Sequence, residues 1–417
     1  MIKYIFVVFG LSLTLLLNAQ ESVLLNLALD STFHTQSSFL RFNANAGYRS
    51  NALDNAFMQK MVLGGTVGRD TKSNIGGRLK PINRTGGRGM IDFSYYNFSD
   101  SLLGNPNFGF LASAGSYVDI YAAFPGDFYR TLFEGNSQFA GQTVDYSDLQ
   151  SAYVAYQKVG VGIFDKNNFS ELRLSYVIGQ DFFRASTTEA SLYTSILGDS
   201  LLLRYNGDFS RSDTSFSGFG VGNGAGFALD LKFNFPLQND EGLIRFSLND
   251  IGGIFWNEKS LDYRADSELL YQGILIDDLF DEEFSNIGVP NLEDTLVYEI
   301  AQKAKFTWLP SSFGMNLLKR TPTNDYWELG IRVKPDRANL PLIHGAYHYC
   351  MDKNTIVAVT GAWGGYGNLR VGASFEKVWN NWYFNLASTD LPGLILENLR
   401  GKDVYFTLGK FFGKDGN

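Results

Sequence analysis

The strongest constraint on this chain is an alternation of apolar and polar side chains that recurs along most of its 417 residues. In residues 227–235, phenylalanine and leucine alternate with Ala228, Asp230, Lys232 and Asn234. The same pattern appears again in residues 171–178, 327–334, 368–376 and 404–412. Because successive side chains of a β-strand point to opposite faces, each run predicts a strand with one apolar face and one mixed face.

The length of these runs separates two kinds of β-protein. A soluble β-sandwich would show the same alternation, but its strands average about 5–6 residues. The runs here reach roughly 9–12 residues, close to the about 9–11 residues that a tilted strand needs to cross a bilayer. Tryptophans lie near the run ends, as in the aromatic girdle of a membrane barrel: Trp327, Trp363, Trp379 and Trp382. The pattern therefore favours a membrane barrel over a soluble sandwich.

We predict an all-β fold, a transmembrane antiparallel β-barrel of about 14 strands, with 16 strands as the alternative. The candidate runs add up to an odd number, whereas bacterial single-chain barrels have an even number, so one assignment is wrong or one strand is missed. Long connections at residues 125–149, 275–306 and 389–402 are expected outside the cell. Short polar turns at residues 165–168, 238–242 and 351–354 are expected on the periplasmic side.

The N-terminal residues are expected to direct export. Lys3 precedes the apolar stretch 5–17, and a small residue, Ala19, follows, which together are typical of a signal peptide cleaved after residue 19. The sequence has a single cysteine, Cys350, so the exported chain would fold without an intramolecular disulfide. We expect this cysteine to be packed rather than reactive.

Four segments follow from this interpretation. Residues 1–19 form the signal peptide, and residues 20–86 form an irregular segment that could act as a periplasmic or lumen-inserted plug or hatch. Residues 87–412 form the barrel, and residues 413–417 form a short tail. The formal net charge of −8 argues against a nucleic-acid partner.

Three features that suggest chemistry have simpler explanations. The glycine-rich residues 218–226 lead into a strand, whereas a phosphate-binding loop leads into a helix. His344 and His348 would lie roughly 13 Å apart along a strand, too far to share a metal ion without a bend. The acidic residues of 277–283 match no calcium-binding loop and resemble one face of an amphipathic helix. We therefore predict no catalytic, metal or cofactor site.

The mixed faces of the predicted strands contain charges of both signs. If the apolar faces contact lipid, these charged residues face the lumen: Arg173, Arg204, Asp208, Asp230, Lys232, Arg245, Glu328, Arg332, Lys334, Arg370 and Glu376. Because the signs are mixed, we expect ion pairs that fill or narrow the interior rather than a pore of one polarity. These pairs could be purely structural, or they could line a route or pocket for a solute.

Several segments resemble a Bacteroidota family of outer-membrane β-barrels of unknown function. They are residues 132–136, 139–141, 156–158, 246–256 and 308–310. The family is similar to the 14-stranded FadL-like transporters and, more loosely, to the PorV and PorP-type barrels of type IX secretion and gliding. The resemblance implies a Gram-negative outer-membrane location and contact with outer-membrane lipid, and it supplies no functional residues.

The leading functional hypothesis is an outer-membrane barrel that binds or passes a small hydrophobic solute through a mostly plugged lumen. The alternative is a structural or accessory barrel of a secretion, gliding or surface-anchoring complex, without transport. A membrane-embedded hydrolase is a third reading, which would need a serine facing His344 or His348. We favour a protein that is not an enzyme.

Overall fold

The computed structural model describes residues 36–98, 101–102, 104–213, 222–238, 241–271, 298–336 and 338–413. All the strands in this part of the chain belong to one antiparallel sheet. Its strands are β1 (Gln36–Ser50), β2 (Ile82–Asn97), β3 (Phe108–Pro125), β4 (Thr143–Asp145), β5 (Gln150–Asp165), β6 (Glu171–Thr194), β7 (Leu201–Arg211), β8 (Gly224–Pro236), β9 (Gly242–Trp256), β10 (Leu261–Tyr271), β11 (Tyr298–Gln302), β12 (Lys305–Trp308), β13 (Ser312–Arg320), β14 (Tyr326–Val333), β15 (Leu340–Asp352), β16 (Thr355–Gly365), β17 (Arg370–Trp379), β18 (Trp382–Ser388) and β19 (Gly401–Gly413).

The sheet closes because β1 pairs with β2 along one edge and with β19 along the other. The result is a closed barrel of 14 strands, which confirms the predicted fold class. Its wall consists of β1, β2, β3, β5, β6, β8, β9 and β13 to β19. A closed sheet leaves no unpaired strand edge, so every wall strand can form backbone hydrogen bonds on both sides.

The two faces of the wall differ as the alternation predicts. On β8, Phe227, Phe233 and Phe235 are exposed on the outside, whereas Asp230 and Asn234 are buried inside. The other wall strands add to the same apolar belt, with exposed residues that include Val159, Leu174, Leu329, Val359 and Val371. Trp327 and Trp379 are exposed at one end of the barrel, and Trp363 is exposed near the other. This outer surface suits acyl chains bounded by two interfacial layers.

The connections differ in length between the two ends of the barrel. Residues 166–170, 321–325, 353–354 and 380–381 are short turns at one end, where β1 also begins and β19 ends. We call this the short-turn end. Residues 51–81, 126–149 and 389–400 lie at the opposite end, which we call the loop end. The predicted long connection at residues 275–306 lies largely outside the described residues.

Five short or displaced strands continue the sheet beyond the loop end of the wall. β4 and β7 pair with the upper part of β6, β10 pairs with β7, β11 pairs with β10, and β12 pairs with the end of β9. We call this the extension sheet. It accounts for predicted runs that lie beyond the wall, and β6 is one strand of 24 residues that serves both the wall and the extension. The total was odd because β1 is a wall strand that the predicted runs lacked.

The prediction that residues 20–86 are irregular and that the barrel begins at residue 87 is wrong for the described part. Residues 36–50 form β1, which pairs along both edges, and β2 already begins at Ile82. Between them lie two helices, α1 (Asn55–Leu63) and α2 (Arg69–Gly76). Backbone pairing with two neighbours stabilises β1 although its outward face is only weakly apolar. The predicted signal peptide and the tail at residues 414–417 lie outside the described residues.

The helices cover the loop end. The Asp54 carboxylate caps α1 by accepting a 2.9 Å hydrogen bond from the backbone N–H of Phe57. Further helices are α3 (Gly126–Glu134) and α4 (Leu391–Ile395). α1, α2 and α3 pack around a buried cluster that includes Phe57, Ile75 and Tyr129. None of the helices in the described ranges is long and apolar enough to cross a membrane.

Candidate functional site: the barrel lumen

An aromatic layer fills the lumen at the short-turn end. Side chains from ten wall strands and two connections form a single buried cluster: Phe39, Tyr96, Phe98, Leu111, Phe164, Phe169, Leu318, Tyr326, Ile356, Val378, Tyr383 and Phe411. The Phe39 and Phe411 rings stack with their centroids 4.4 Å apart, and the Tyr96 and Phe164 rings meet edge to face at 5.4 Å. We call this cluster the aromatic seal, because its side chains pack against one another inside the barrel at the short-turn end.

An ion-pair network crosses the lumen next to the aromatic seal. The Lys158 ammonium on β5 lies 2.6 Å from an Asp250 carboxylate oxygen on β9 and 2.9 Å from Asp230 on β8. Arg88 on β2 binds the other Asp250 oxygen at 2.5 Å. Since β2 and β9 are not neighbours in the wall, these contacts join opposite sides of the barrel. All four side chains are buried, so removing one member would leave an uncompensated charge.

Irregularities in the strands position this network. The β8–β9 ladder shifts register next to Asp250, whose φ of 58° lies in the left-handed region. The Asp250 carboxylate points inward there, and its backbone carbonyl accepts a 2.8 Å hydrogen bond from the Ser311 hydroxyl. The ladder of β5 also shifts between Ala155 and Tyr156, shortly before Lys158.

Three of the segments that resemble known barrels meet at this point. Residues 308–310 follow β12, where Trp308 pairs with Gly253 and the Leu309 N–H donates to the Gly252 carbonyl. Residues 246–256 supply Asp250, and residues 156–158 supply Lys158. These segments are therefore close in space and build the lumen network, although they are distant in sequence.

Glu328 and two histidines form a second buried polar cluster. His344 Nε2 lies 3.4 Å from one Glu328 oxygen, and His348 Nε2 lies 3.1 Å from the other. The Asn316 amide donates to Glu328 at 3.0 Å. Among the described residues, no serine hydroxyl is a hydrogen-bond partner of either imidazole. The histidines therefore do not form a nucleophile–base pair with a described residue, as a hydrolase would need.

The lumen contains a cavity in its loop-end half. Its volume is about 120 Å³, and we call it the loop-end cavity. Its apolar and aromatic lining consists of Leu342, Ala362, Tyr366 and Tyr405, together with glycines of β1, β2 and β16. Its charged lining consists of Arg49, Arg88, Glu328, Arg332, Lys334, Arg370 and Asp403.

The rim of the cavity includes a buried carboxylate outside the wall. The Tyr366 hydroxyl donates to Asp336 at 2.9 Å, and the Tyr366 ring packs so closely over Gly86 that a β-carbon there would overlap it. Burial raises the pKa of Asp336 above its ordinary value, an effect that the Lys334 ammonium partly offsets. Burial also raises the pKa of the Tyr366 hydroxyl. Tyr366 therefore remains a neutral donor at the rim.

Nine of the predicted lumen residues lie inside the barrel or at its inner rim. Arg173 binds Asp230 at 3.1 Å, Lys232 binds Glu171 at 2.6 Å, and Arg245 donates to Asn234 at 2.6 Å. Lys334 reaches across the lumen from the end of β14 to Asp119 on β3, at 2.7 Å. The remaining predicted residues are buried inward or line the cavity: Asp230, Glu328, Arg332, Arg370 and Glu376.

The prediction is wrong for Arg204 and Asp208. Both lie on β7, which belongs to the extension sheet and not to the wall, so neither faces the lumen. Arg204 instead forms an exposed ion pair with Glu268 on β10, at 2.8 Å. The alternation alone could not separate these strands, because strands above the bilayer also have two different faces.

The sequence analysis missed several charged residues of the lumen. They are Arg49, Arg88, Asp92, Asp119, Lys158, Asp250 and Asp403. Arg49 and Arg88 lie in strands with weak apolar alternation, and Lys158 and Asp250 lie beside register shifts. Lys158 and Asp250 lie in segments that resemble known outer-membrane barrels, and in the sequence this resemblance was the one indication of their importance.

Comparison with known proteins gives a family and three distant structures. The sequence pattern of DUF5723, a family of unknown function, matches residues 166–384. The monoaromatic hydrocarbon channel TodX deltaS2S3 mutant has 8% identity over 98% of both chains, with a TM-score of 0.41. The P. putida toluene transporter TodX has 10% identity over 93% of both chains, with a TM-score of 0.37.

The toluene transporter TbuX of Ralstonia pickettii has 9% identity over 90% of both chains, with a TM-score of 0.28. None of the curated proteins matches the sequence. At these identities no functional residue can be transferred to this chain, so the function has to be argued from its own lumen.

Proposed function

The chain belongs to the DUF5723 family, whose function is unknown, and from this premise we propose that it is an outer-membrane barrel that binds or passes a small hydrophobic solute through a mostly plugged lumen. The observation behind the proposal is a solute-sized cavity in a barrel whose opposite end is filled. The loop-end cavity has a volume of about 120 Å³, and Leu342, Ala362, Tyr366 and Tyr405 give it apolar surface.

The proposed location rests on the outer surface of the wall. A belt of exposed leucine, valine and phenylalanine side chains surrounds a sheet without open edges, which is the architecture that a bilayer requires of strands. With the short-turn end in the periplasm, as the sequence predicts, the loop-end cavity faces the outside of the cell. The signal peptide of residues 1–19 would bring the chain to this membrane.

The plug that we propose is the lumen's own packing and not an N-terminal hatch. The aromatic seal and the Lys158–Asp250 network fill the lumen between the cavity and the short-turn end. A solute that binds in the cavity therefore needs a rearrangement of these side chains to reach the periplasm. The protein should accordingly bind solute without behaving as an open pore.

Binding and permeation assays on the purified barrel test this proposal. In a planar bilayer we expect no open-pore conductance, and in detergent we expect saturable binding of a small solute such as benzamide. Proteoliposomes would show whether bound solute crosses. A large constant conductance would contradict the plugged lumen, and the absence of both binding and permeation would overturn the solute-binding function.

An accessory role in a secretion, gliding or surface-anchoring complex is the second candidate. The filled short-turn end favours it, because a barrel that transports nothing would also be sealed. The extension sheet gives such a barrel a surface for a partner, with Ile196 and Leu197 exposed at the tip of the β6–β7 hairpin. A pull-down in mild detergent that yields a stoichiometric partner, with no solute binding, would favour this role over transport.

A further inference from the structure

Three of the five cationic side chains that line the loop-end cavity are bound to carboxylates. Arg49 binds Asp403, Arg88 binds Asp250 at 2.5 Å, and Lys334 binds Asp119 at 2.7 Å. These pairs neutralise their own charges inside the protein. The other two cations, Arg332 and Arg370, form no ion pair with a described residue.

Arg370 forms no ion pair with a described carboxylate. Its Nη1 donates to the backbone carbonyls of Gly364, at 3.2 Å, and Asn368, at 3.3 Å. Its Nε is buried and has no hydrogen-bond partner among the described residues. Asp403 and Asp390 act on the guanidinium only at longer range, and its Nε–H group remains unused.

Arg332 also forms no ion pair within the described part of the chain. Its guanidinium forms neither a hydrogen bond nor an ion pair with another described residue. The only carboxylate of its own strand that faces the cavity is Glu328, four residues away and thus roughly 13 Å along the strand. Glu328 is already bound by His344, His348 and Asn316.

Half-burial of two guanidinium groups that no described carboxylate contacts costs free energy, and an anion that joins them would offset this cost. Arginine is suited to this purpose, because its planar donors bind a carboxylate through two parallel hydrogen bonds. We propose that the loop-end cavity binds a solute with one carboxylate on a compact apolar body, the carboxylate lying at Arg332 and Arg370. This inference rests on the proposed solute-binding function and defines the class of solute.

The size and apolar part of the cavity define the rest of the solute. A volume of about 120 Å³ is enough to hold a single ring or a short branched chain. Tyr366 and Tyr405 offer aromatic surfaces to such a body, and Leu342 and Ala362 complete the apolar side. A small aromatic carboxylate such as benzoate matches both parts of the lining, because its carboxylate can bind the arginines and its ring can pack on the apolar side.

Benzoate and benzamide form a matched pair for the test, because they share ring and shape and differ in charge. We would measure both affinities by isothermal titration calorimetry on the full barrel in detergent. Wild-type protein should bind benzoate about tenfold or more tightly than benzamide, because only the carboxylate forms charge-assisted hydrogen bonds. R332Q and R370Q should each weaken benzoate binding more than benzamide binding, and so remove most of this preference.

The exposed Arg204 supplies the control variant, since R204Q changes the same charge outside the lumen and should alter neither affinity. R332Q removes a cation that forms no ion pair with a described residue, so its thermal unfolding temperature should not fall below that of the wild type. R370Q also loses the hydrogen bonds to Gly364 and Asn368, so a small fall is expected while the barrel still folds. If the variants still fold, a loss of benzoate binding is due to the loss of the anion site and not to a damaged barrel.

The outcomes separate this inference from the function on which it rests. Equal binding of benzoate and benzamide, unaffected by R332Q and R370Q, would overturn the carboxylate site and leave solute binding intact. Inorganic phosphate that binds as tightly as benzoate would overturn the apolar half of the inference. Binding of neither compound, with no permeation of any solute, would overturn both.

Discussion

The two ends of the lumen are built on different physical principles. At the short-turn end, aromatic and aliphatic side chains pack against each other in one buried cluster, as in the core of a soluble protein. At the loop end, charged side chains surround a cavity, and Arg332 and Arg370 form no ion pair there with a described carboxylate. One end is therefore held by apolar contacts, whereas the other end presents two cations that an anion could join.

This difference indicates which end meets the solute. A packed apolar layer gains nothing from a ligand, because its contacts are already made, whereas a guanidinium that forms no ion pair gains a partner. The Lys158–Asp250 network separates the two regions, and it holds opposite strands of the wall at one spacing. The following predictions test whether the two ends are as independent as this arrangement implies.

The largest effect is expected for Asp250→Asn, in the network between the ends. The variant keeps the shape of the side chain, and asparagine tolerates the positive φ of this residue. Arg88 loses its carboxylate partner, however, and breaking a buried ion pair costs about 3–5 kcal/mol of unfolding free energy. Urea unfolding of the barrel in lipid vesicles measures this loss.

R204Q is the matched control for Asp250→Asn, because it breaks the exposed Arg204–Glu268 pair in the extension sheet. Exposed pairs contribute little to stability, so the unfolding free energy should not change measurably. Equal losses in the two variants would show that the lumen network is no more important to the barrel than a surface pair.

A smaller loss of stability, with a gain of conductance, is expected for Phe164→Ala in the aromatic seal. The ring contacts Tyr96 and Phe98 with centroid distances of 5.4 and 5.3 Å. Its removal should cost about 3 kcal/mol and leave a cavity in the seal. Single-channel recording should show transient openings that wild-type protein lacks. An unchanged, silent bilayer would mean that the charged network alone closes the lumen.

The comparison of the two ends assumes that the wall between them spans a bilayer, with its outer face in contact with lipid. Val159 is exposed on the outer face of β5, well inside the apolar belt. Val159→Arg should therefore cost about 2 kcal/mol in a bilayer, where an outward arginine meets acyl chains. Leu197→Arg, at the tip of the extension sheet, should fold like the wild type. Equal tolerance of both substitutions would contradict a lipid-facing wall.

The wall could be predicted where the outward residues are large. Residues 227–235 and 327–334 have Phe, Leu, Ile and Trp on the outer face, so their alternation was visible and correct. In β1 the outward side chains beyond Phe42 are mainly alanines, and β2 begins with several glycines, so the signal was faint. Pairing along both edges stabilises these strands, and no single segment of sequence shows a pairing.

The lumen was harder to predict than the wall. Charged residues that face the lumen could be predicted where apolar and polar side chains alternate along the strand without interruption, as around Asp230 and Glu328. A register shift in β9 resets the period near Asp250, and the partners in the lumen ion pairs come from distant strands. The cavity also depends on barrel closure, since β1, β2 and β19 supply part of its lining. Closure is a property of the whole sheet.

The smallest effect is expected at the cavity rim, for Tyr366→Phe. The variant keeps the ring over Gly86 and removes only the hydroxyl that donates to Asp336. Losing this bond should cost about 1 kcal/mol near neutral pH, without any conductance, because the aromatic seal is untouched.

The pH dependence of this small loss tests whether Asp336 is its cause. Burial raises the pKa of Asp336 in the folded state, so ionisation of this carboxyl group lowers stability as pH rises through that pKa. Tyr366 stabilises the ionised form, and Tyr366→Phe should raise the pKa further. The difference in melting temperature between variant and wild type should therefore be largest at neutral pH and shrink in acid, where Asp336 is protonated in both. If the difference in melting temperature does not depend on pH, the loss of stability comes from altered packing of the ring over Gly86. Apolar contacts would then stabilise the cavity rim, as they stabilise the aromatic seal, and the charge of Asp336 would not.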